Sequence, residues 1–279
     1  MKNRKTEIIL DILIVICRLA GSGFLLYPTA GDVINAGKNK KEIDAYSAAV
    51  EALSEDEKNT ILSKAQAYNT AHTDNVITDA FTEEGQLDEA YEKLLNVTGD
   101  GMMGYLDIPK INVHLAIYHG TGDDVLQDGV GHLEGTSLPI GGTGTHAVLA
   151  GHRGLPSARL FTDLDQIETG DIFSLRILDE ELTYEVDQIK VVEPYETEDL
   201  AIDPQRDYVT LVTCTPYGVN TQRLLIRGYR IENTGKTEKN SFRLLKQLIN
   251  IRSVMGVCLV VMLIIVFIQM GRKGNRKHE

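Results

Sequence analysis

The chain has 279 residues, which is long enough for one or two domains with a sizeable hydrophobic core. Its 43% of hydrophobic and 24% of charged residues are ordinary for a globular protein. The formal net charge of -12 is carried by the middle of the chain, because both tails are basic. An acidic middle repels phosphate backbones, which argues against nucleic acid as a partner.

Two apolar runs near the chain ends predict a transmembrane helix at each end. Residues 253–271 carry no charge, and at ~1.5 Å per residue they span a hydrocarbon core of about 30 Å. Residues 8–27 form a weaker run that is interrupted by Asp11 and Arg18, which share a helix face and can neutralise each other. The alternatives are a buried core helix for the C-terminal run and a cleaved signal peptide for the N-terminal run.

Basic residues at the outer ends of both runs predict the orientation of the chain. The positive-inside tendency puts both termini in the cytoplasm and residues 29–251 outside the cell membrane. Cys17 and Cys258 lie inside the apolar runs, which leaves Cys214 as the only thiol of the exported part. An unpaired thiol in an oxidising compartment is a hazard unless it has a function, so Cys214 is the first candidate functional residue.

From residue 29 to residue 98 the pattern predicts a helical region with one loop. Apolar residues recur at helical spacing, and Ser54 with Glu57 forms a capping box that begins a second helix. Residues 72–84 are mostly polar and predict a loop, whereas residues 87–95 predict a short helix. The predicted domains are a tail with a membrane segment (1–28), this helical region (29–98), a β domain (99–232), a linker (233–252) and a membrane helix with a basic tail (253–279).

The β domain is predicted from short apolar segments that are separated by Gly and Pro. Few helices and seven or eight strands indicate a mainly β fold with a closed or nearly closed barrel, since closure removes exposed strand edges. Residues 157–167 predict one helical insertion. The predicted strands cover residues 105–108, 113–118, 145–150, 172–178, 183–192, 208–213 and 223–231.

The sequence around Cys214 predicts a β-hairpin. Cys214 ends the apolar strand YVTLVTC, the turn-forming residues 215–220 follow, and Arg223 begins the next strand. In such a hairpin the two side chains face each other at the loop end. A guanidinium there can lower the pKa of a nearby thiol, and it can donate hydrogen bonds to the oxyanion that forms when a thiolate attacks a carbonyl.

A cysteine nucleophile also needs a proton partner, because the leaving amine must be protonated. His152 lies where the apolar strand of residues 147–150 gives way to a glycine-containing loop, and catalytic side chains gather at such strand ends. Spacing favours His152 and leaves five other candidates open. These are His72, His114, His119, His132 and His146.

These residues resemble the signature of the sortase family. The motif TLVTC (210–214) with an arginine nine residues on, preceded by the histidine of GHRG (151–154), is similar to the sortase catalytic motif. The similarity extends over about residues 99–231 as several blocks in order. The blocks are MGYLDIPKINV (103–113), IYHGTG (117–122), GVGHLEGTSLP (129–139), GHRGLPSARLFTDL (151–164) and TCTPYGVNTQRLLIRG (213–228).

The long blocks and the C-terminal apolar run resemble class C, the pilus-assembly sortases. The resemblance implies an eight-stranded sortase barrel with Cys214, His152 and Arg223 as its catalytic residues. It also implies a cysteine transpeptidase that cleaves an LPXTG-like sorting signal between Thr and Gly and joins it to a lysine of another pilin subunit. Water as acceptor would make the same site a slow thiol protease, and attachment of surface proteins to the cell wall is the alternative function.

Class C sortases also carry an N-terminal lid with an Asp-Pro-aromatic motif, and Asp79, Ala80 and Phe81 lie at the matching place. The resemblance implies that Asp79 pairs with Arg223 while Phe81 packs over the thiol of Cys214. Ala80 departs from the motif. Without the proline the backbone gains about 0.4–1 kcal/mol of unfolded-state entropy, so a looser lid is expected.

Two other function classes fit parts of the sequence. A papain-like protease would carry its cysteine early in the chain with the histidine downstream, whereas here His152 precedes Cys214. A membrane-tethered binding module without catalysis would explain the apolar runs but not the lone thiol followed by an arginine. Since the sequence has no Cys pair and no HExxH-type spacing, neither a metal nor a cofactor is expected.

Overall fold

The structure is a computed structural model that describes residues 4–72, 77–82, 87–155 and 157–233. The predicted linker beyond residue 233 and the predicted C-terminal transmembrane helix lie outside these ranges. Among the described residues, no helix offers a stretch that is both long and apolar enough to cross a membrane. Residues 8–27, for which the sequence predicts a transmembrane segment, lie within the first of these ranges.

One long helix, α1 (Arg4–Glu51), begins the described chain and packs its C-terminal half on the β domain. The buried amide of Asn39 accepts a hydrogen bond from the backbone N–H of Ala116 at 3.0 Å. The buried hydroxyl of Tyr46 donates to the carbonyl oxygen of Met103 at 2.8 Å. These contacts satisfy polar groups that water cannot reach, so they fix the position of α1 on the β domain.

The predicted capping box is confirmed at the start of α2 (Glu55–Ala71). The hydroxyl of Ser54 accepts a hydrogen bond from the backbone N–H of Glu57 at 3.3 Å, and the Glu57 carboxylate accepts one from the backbone N–H of Ser54 at 2.8 Å. The short helix predicted over residues 87–95 is confirmed as α3 (Glu89–Glu92).

Eight strands of the described residues form a closed barrel, as the mainly β prediction expects. Their order around the barrel is β1-β2-β3-β4-β7-β8-β6-β5, and β5 closes it against β1. Two neighbouring pairs, β2 with β3 and β4 with β7, are parallel, and the others are antiparallel. The strands are β1 (Met102–Ile108), β2 (Val113–His119), β3 (Val130–His132), β4 (Thr145–Ala150), β5 (Ile172–Ile177), β6 (Glu180–Val192), β7 (Asp207–Thr215) and β8 (Gln222–Ile231).

The barrel interior is filled by apolar side chains from every strand, so it is a packed core and not a channel. The burial of these side chains from water is the main favourable contribution to folding. Representative members are Leu106, Ile117, Val130, Leu149, Leu175, Leu211, Val186 and Ile226.

The helical insertion predicted over residues 157–167 is wrong. This segment contains only a single 3₁₀ turn at Leu164–Gln166. Leu160 has φ 38°, and a left-handed residue cannot continue a right-handed helix. One strand, β3, and one α-helix, α4 (Asp123–Asp128), were not predicted, because both are too short to show a periodic pattern.

Candidate active site

The parallel pairing of β4 with β7 brings the candidate histidine beside the candidate cysteine. The last residue pair of this ladder is Ala150 with Val212. His152 and Cys214 each lie two residues beyond that pair, and neighbouring strands are about 4.8 Å apart. A hydrogen bond of 3.1 Å from the N–H of Gly151 to the carbonyl of Val212 continues the contact toward them. Both side chains therefore leave the barrel at the same end.

The antiparallel pairing of β7 with β8 confirms the predicted hairpin, in which Cys214 faces Arg223. The guanidinium is held by its own loop, since Nη1 donates to the carbonyl oxygens of Asn220 at 3.2 Å and Gln222 at 3.1 Å. The arginine is thus fixed beside the thiol by backbone groups of the connection and of the first residue of β8.

The lid, described here as residues 77–82, lies over this site. Nε and Nη2 of Arg223 donate to the two carboxylate oxygens of Asp79, each at 2.7 Å. Both side chains are largely buried, with 11% and 8% of their surfaces exposed. The ring of Phe81 lies 5.2 Å from the guanidinium carbon of Arg223 and 5.8 Å from the ring of His152. The structure therefore pairs Asp79 with Arg223 as predicted, and it puts the ring of Phe81 against Arg223 and His152.

Apolar packing holds the lid in addition to the ion pair. Ala80 is buried and joins an apolar cluster with Ile77 and Phe81 from the lid. The barrel side of this cluster is formed by Leu126, Leu133, Val148, Ala150, Leu200, Val212 and Leu225. The alanine that replaces the expected proline therefore still contributes buried surface.

With the lid in place, Arg223 has little hydrogen-bonding capacity left. A guanidinium has five N–H groups. Asp79 accepts from two of them, and the carbonyls of Asn220 and Gln222 accept from the two on Nη1. Within the described residues this leaves one N–H for an oxyanion. Asp79 therefore competes directly with any substrate oxygen that Arg223 would bind.

Burial keeps the thiol and the imidazole neutral in this closed arrangement. Burial raises the pKa of Cys214, the charge of Arg223 opposes that shift, and the charge of Asp79 adds to it. Burial lowers the pKa of His152, and the charge of Asp123 opposes that shift. Because both burial effects disfavour the charged forms, the closed site holds a thiol and a neutral imidazole. Asp123 was not singled out by the sequence.

The other candidate histidines lie in structural hydrogen bonds. His146 lies within 3.0 Å of the Ala201 carbonyl through Nδ1 and within 2.7 Å of the Thr210 hydroxyl through Nε2. Burial lowers the pKa values of His132 and His146 to about 4. His72 stacks on Tyr68, His114 pairs with Asp107, and His119 bonds the carbonyls of Gly101 and Leu94. The parts of the chain that the structure describes contain no cluster of potential metal ligands.

Removal of the Asp79 carboxylate is expected to expose the thiol. In the variant Asp79→Ala the lid loses both charged hydrogen bonds to Arg223, so it opens more often and alkylation of Cys214 by iodoacetamide becomes about tenfold faster, which corresponds to about 1.4 kcal/mol. Mass spectrometry of the modified protein measures the rate. Asp124→Ala removes an exposed carboxylate of α4 and is the control, with an unchanged rate. An equal rate in Asp79→Ala and the wild type would contradict the closing role of Asp79.

The pH dependence of alkylation is expected to shift in the same variant. In the wild type, burial and the charge of Asp79 raise the pKa of Cys214, so the thiolate forms only at higher pH than for a free thiol. Asp79→Ala removes the negative charge and part of the burial, so the midpoint of the rate-versus-pH curve moves to lower pH. A midpoint that stays in place, or moves to higher pH, would show that Asp79 does not control the ionisation.

Comparisons with known proteins agree with this geometry. Residues 106–231 match the sortase domain family. Sortase C-1 from Streptococcus pneumoniae is 44% identical, with 70% of this chain and 100% of that chain covered and a TM-score of 0.65. Sortase C1 of GBS pilus island 1 is also 44% identical, with 71% of this chain and 95% of that chain covered and a TM-score of 0.66. Sortase D of Bacillus subtilis is 34% identical over 131 residues, which are 46% of this chain and 63% of that protein.

The chain therefore belongs to the sortase family, whose members are cysteine transpeptidases. Its similarity to sortase C-1 and sortase C1 groups it with class C, the pilus-type sortases, as the sequence motifs predict. The match to the curated relative sortase D spans slightly less than two thirds of that protein's length.

Proposed function

We propose that this chain is a transpeptidase that cleaves an LPXTG-like sorting signal between Thr and Gly and joins the new carboxyl end to a lysine amine of another pilin subunit. The observation that carries the proposal is the convergence of His152 and Arg223 on Cys214 at one end of the barrel, through the two neighbours of β7. A thiol, an imidazole and a guanidinium are the groups that cysteine acyl transfer requires.

The first half-reaction forms an acyl-enzyme. Once the lid has left, the Cys214 thiol passes its proton to His152, and the thiolate sulfur attacks the carbonyl carbon of the threonine. Arg223 donates hydrogen bonds to the resulting oxyanion, including those that Asp79 accepted before. The C–N bond to glycine then breaks, and the imidazolium of His152 protonates the departing amine. A thioester between Cys214 and the threonine remains.

The second half-reaction releases the product. A neutral lysine amine attacks the thioester carbonyl and gives a proton to His152, and the C–S bond breaks as the Cys214 thiolate leaves. Only part of the enzyme needs to hold the thiolate–imidazolium form, since the two groups titrate as a coupled pair. Water in place of the amine gives hydrolysis, so the acceptor decides between ligation and proteolysis.

We propose that the protein works at the outer surface of the cell membrane. The uncharged run of residues 253–271 and the apolar run of residues 8–27, with basic residues at their outer ends, support two membrane anchors with cytoplasmic termini. The barrel would then meet its substrate proteins where they leave the cell. Protease protection in sealed vesicles tests this arrangement, because cytoplasmic termini and an external barrel are cleaved from opposite sides.

Attachment of surface proteins to the cell wall is the second candidate function. It uses the same acyl-enzyme and differs only in the acceptor amine. The similarity to class C structures, one of which comes from a pilus island, favours the pilin acceptor. Purified acceptor proteins with and without their exposed lysines, compared with amine-bearing cell-wall peptides, separate the two functions.

The proposed function is tested by trapping the acyl-enzyme. The full chain is mixed with sorting-signal peptides, quenched in acid and digested, and the expected product carries the peptide up to its threonine on Cys214. Cys17→Ala removes an exposed cysteine of α1 and must leave the adduct unchanged. Cleavage of the peptide without an adduct on Cys214 would overturn Cys214 as the nucleophile. Binding of the peptide without cleavage would overturn the proposed activity and leave a binding module as the better account.

A further inference from the structure

A side-chain contact joins the loop that carries His152 to the end of β7, which carries Cys214. The hydroxyl of Thr213 donates to the carbonyl of Gly151 at 2.8 Å, and no ladder pair follows. Within the described residues, the ring of His152 has no hydrogen bond that would fix its direction. In the closed site the ring of Phe81 lies 5.8 Å from the ring of His152. Once the lid has left, the position of the imidazole relative to the thiol depends on the packing of the loop that follows His152.

The side chain of Arg153 supplies that packing from within the histidine loop. Only 8% of it is exposed, and its Nη2 forms an ion pair with Asp165. Its Nε is buried without a hydrogen-bond partner in the described ranges, which is a costly arrangement for a charged group. The guanidinium carbon lies 5.7 Å from the ring centroid of Tyr217, three residues after Cys214.

Tyr217 covers the histidine loop from the cysteine side. Its ring carbons would lie 3.0 to 3.1 Å from a Cβ atom placed on Gly154, so the ring rests directly on the backbone two residues after His152. The tyrosine itself is 58% exposed. A large aromatic ring held over a cation and a glycine, and still open to solvent, gains too little burial to be explained as core packing.

We propose that Arg153 and Tyr217 form a clasp between the His152 loop and the turn that follows Cys214, and that this clasp sets the distance between imidazole and thiol during acyl transfer. Both are positioning residues, and this role rests on the proposed transpeptidase function. The clasp matters most after the lid opens, because Phe81 then no longer supports the ring of His152. Small displacements of reacting groups lower rates strongly, by up to about a hundredfold for 1 Å.

The clasp is tested by a double-mutant cycle of Tyr217→Ala and Arg153→Met in the full chain, with Asp79→Ala present in every variant so that the lid does not limit the rate. We expect each substitution to lower kcat for a sorting-signal peptide about tenfold and to leave KM within about twofold. The double variant should lose little more than either single variant, because the two residues act through one contact. Tyr217→Phe keeps the ring and should restore kcat.

Three kinetic results would overturn the clasp. These are an unchanged kcat in Tyr217→Ala, a loss confined to KM, and losses that multiply in the double variant. Val219→Ala changes another exposed residue of the same loop, 65% exposed, and is the matched control. Alkylation of Cys214 is a second readout, because it needs no substrate. An imidazolium that is displaced from the thiol stabilises the thiolate less, so the pH midpoint of alkylation should move upward in Tyr217→Ala and not in Tyr217→Phe. If the chain reacts with no peptide but shows this shift, the proposed function is contradicted and the clasp is retained. If Tyr217→Ala and its parent protein have equal midpoints, the clasp is contradicted.

Discussion

Cys214→Ala is expected to abolish acyl-enzyme formation and the proposed joining of pilin subunits while the barrel remains folded. The substitution removes the sulfur that forms the thioester, and neither His152 nor Arg223 can replace it as a nucleophile. The fold should persist, because Cys214 is only half-buried at the end of β7, and the core residues Val209 and Leu211 of that strand are untouched. Peptide cleavage by chromatography, covalent ladders on a denaturing gel and circular dichroism measure the three properties.

The control for this prediction is the exposed cysteine Cys17, whose replacement by alanine should leave cleavage and ladders unchanged. Cys214→Ser distinguishes the loss of the nucleophile from a change of side-chain size. The hydroxyl has nearly the size of the thiol but stays protonated at neutral pH. We expect no detectable turnover in this variant either. Ladders that persist in Cys214→Ala would show that another group carries the acyl chain.

Arg223→Ala is expected to produce two effects of opposite sign. The loss of the oxyanion donors should lower kcat by about 10²–10³. The loss of the partner of Asp79 should at the same time release the lid and make alkylation of Cys214 faster. A substitution that merely unfolds the site would also speed alkylation, so thermal unfolding must show that the barrel is intact. Arg223→Lys keeps the charge without the planar fork. Its kcat and its alkylation rate should lie between those of the wild type and Arg223→Ala, because lysine cannot bond both carboxylate oxygens in parallel.

Arg227 provides a matched control on the same strand. Its guanidinium bonds both carboxylate oxygens of Asp187, at 3.0 and 2.8 Å, in the same forked way that Arg223 bonds Asp79. Arg227→Lys should leave both kcat and the alkylation rate within about twofold, since its partner lies away from the lid. If Arg223→Ala kept kcat within that margin, the oxyanion role would have to be reassigned.

The hairpin was predictable from the sequence, whereas the histidine was not predictable from spacing alone. Cys214 and Arg223 are close in sequence, and turn-forming residues between two apolar strands determine which residues face each other. His152 reaches Cys214 through the parallel pairing of β4 with β7, which joins distant segments and leaves no local signal. The sequence could only favour His152 among six histidines, and the family motif added what spacing lacked.

The lid contact, like the position of the histidine, joins residues that are far apart in the sequence. Asp79 is 144 residues from Arg223 along the chain, so neither residue predicts the other through local pattern. The prediction came from the motif resemblance. The contact between Arg153 and Tyr217 was missed, because an arginine in a loop and a tyrosine in a turn are both ordinary there. The signal that could have suggested this contact is Arg153 directly after His152, followed by Gly154. A glycine has no side chain, so an aromatic ring can pack directly on its backbone.

Helix α1 is a long, rigid extension of the β domain. Its 48 residues run without interruption, so it is a rod of about 72 Å that the contacts of Asn39 and Tyr46 join firmly to the β domain. A stiff rod transmits orientation as well as distance. If residues 8–27 are anchored in a bilayer as proposed, the part of the rod that follows them sets one height and one tilt for the active-site end of the barrel in every copy.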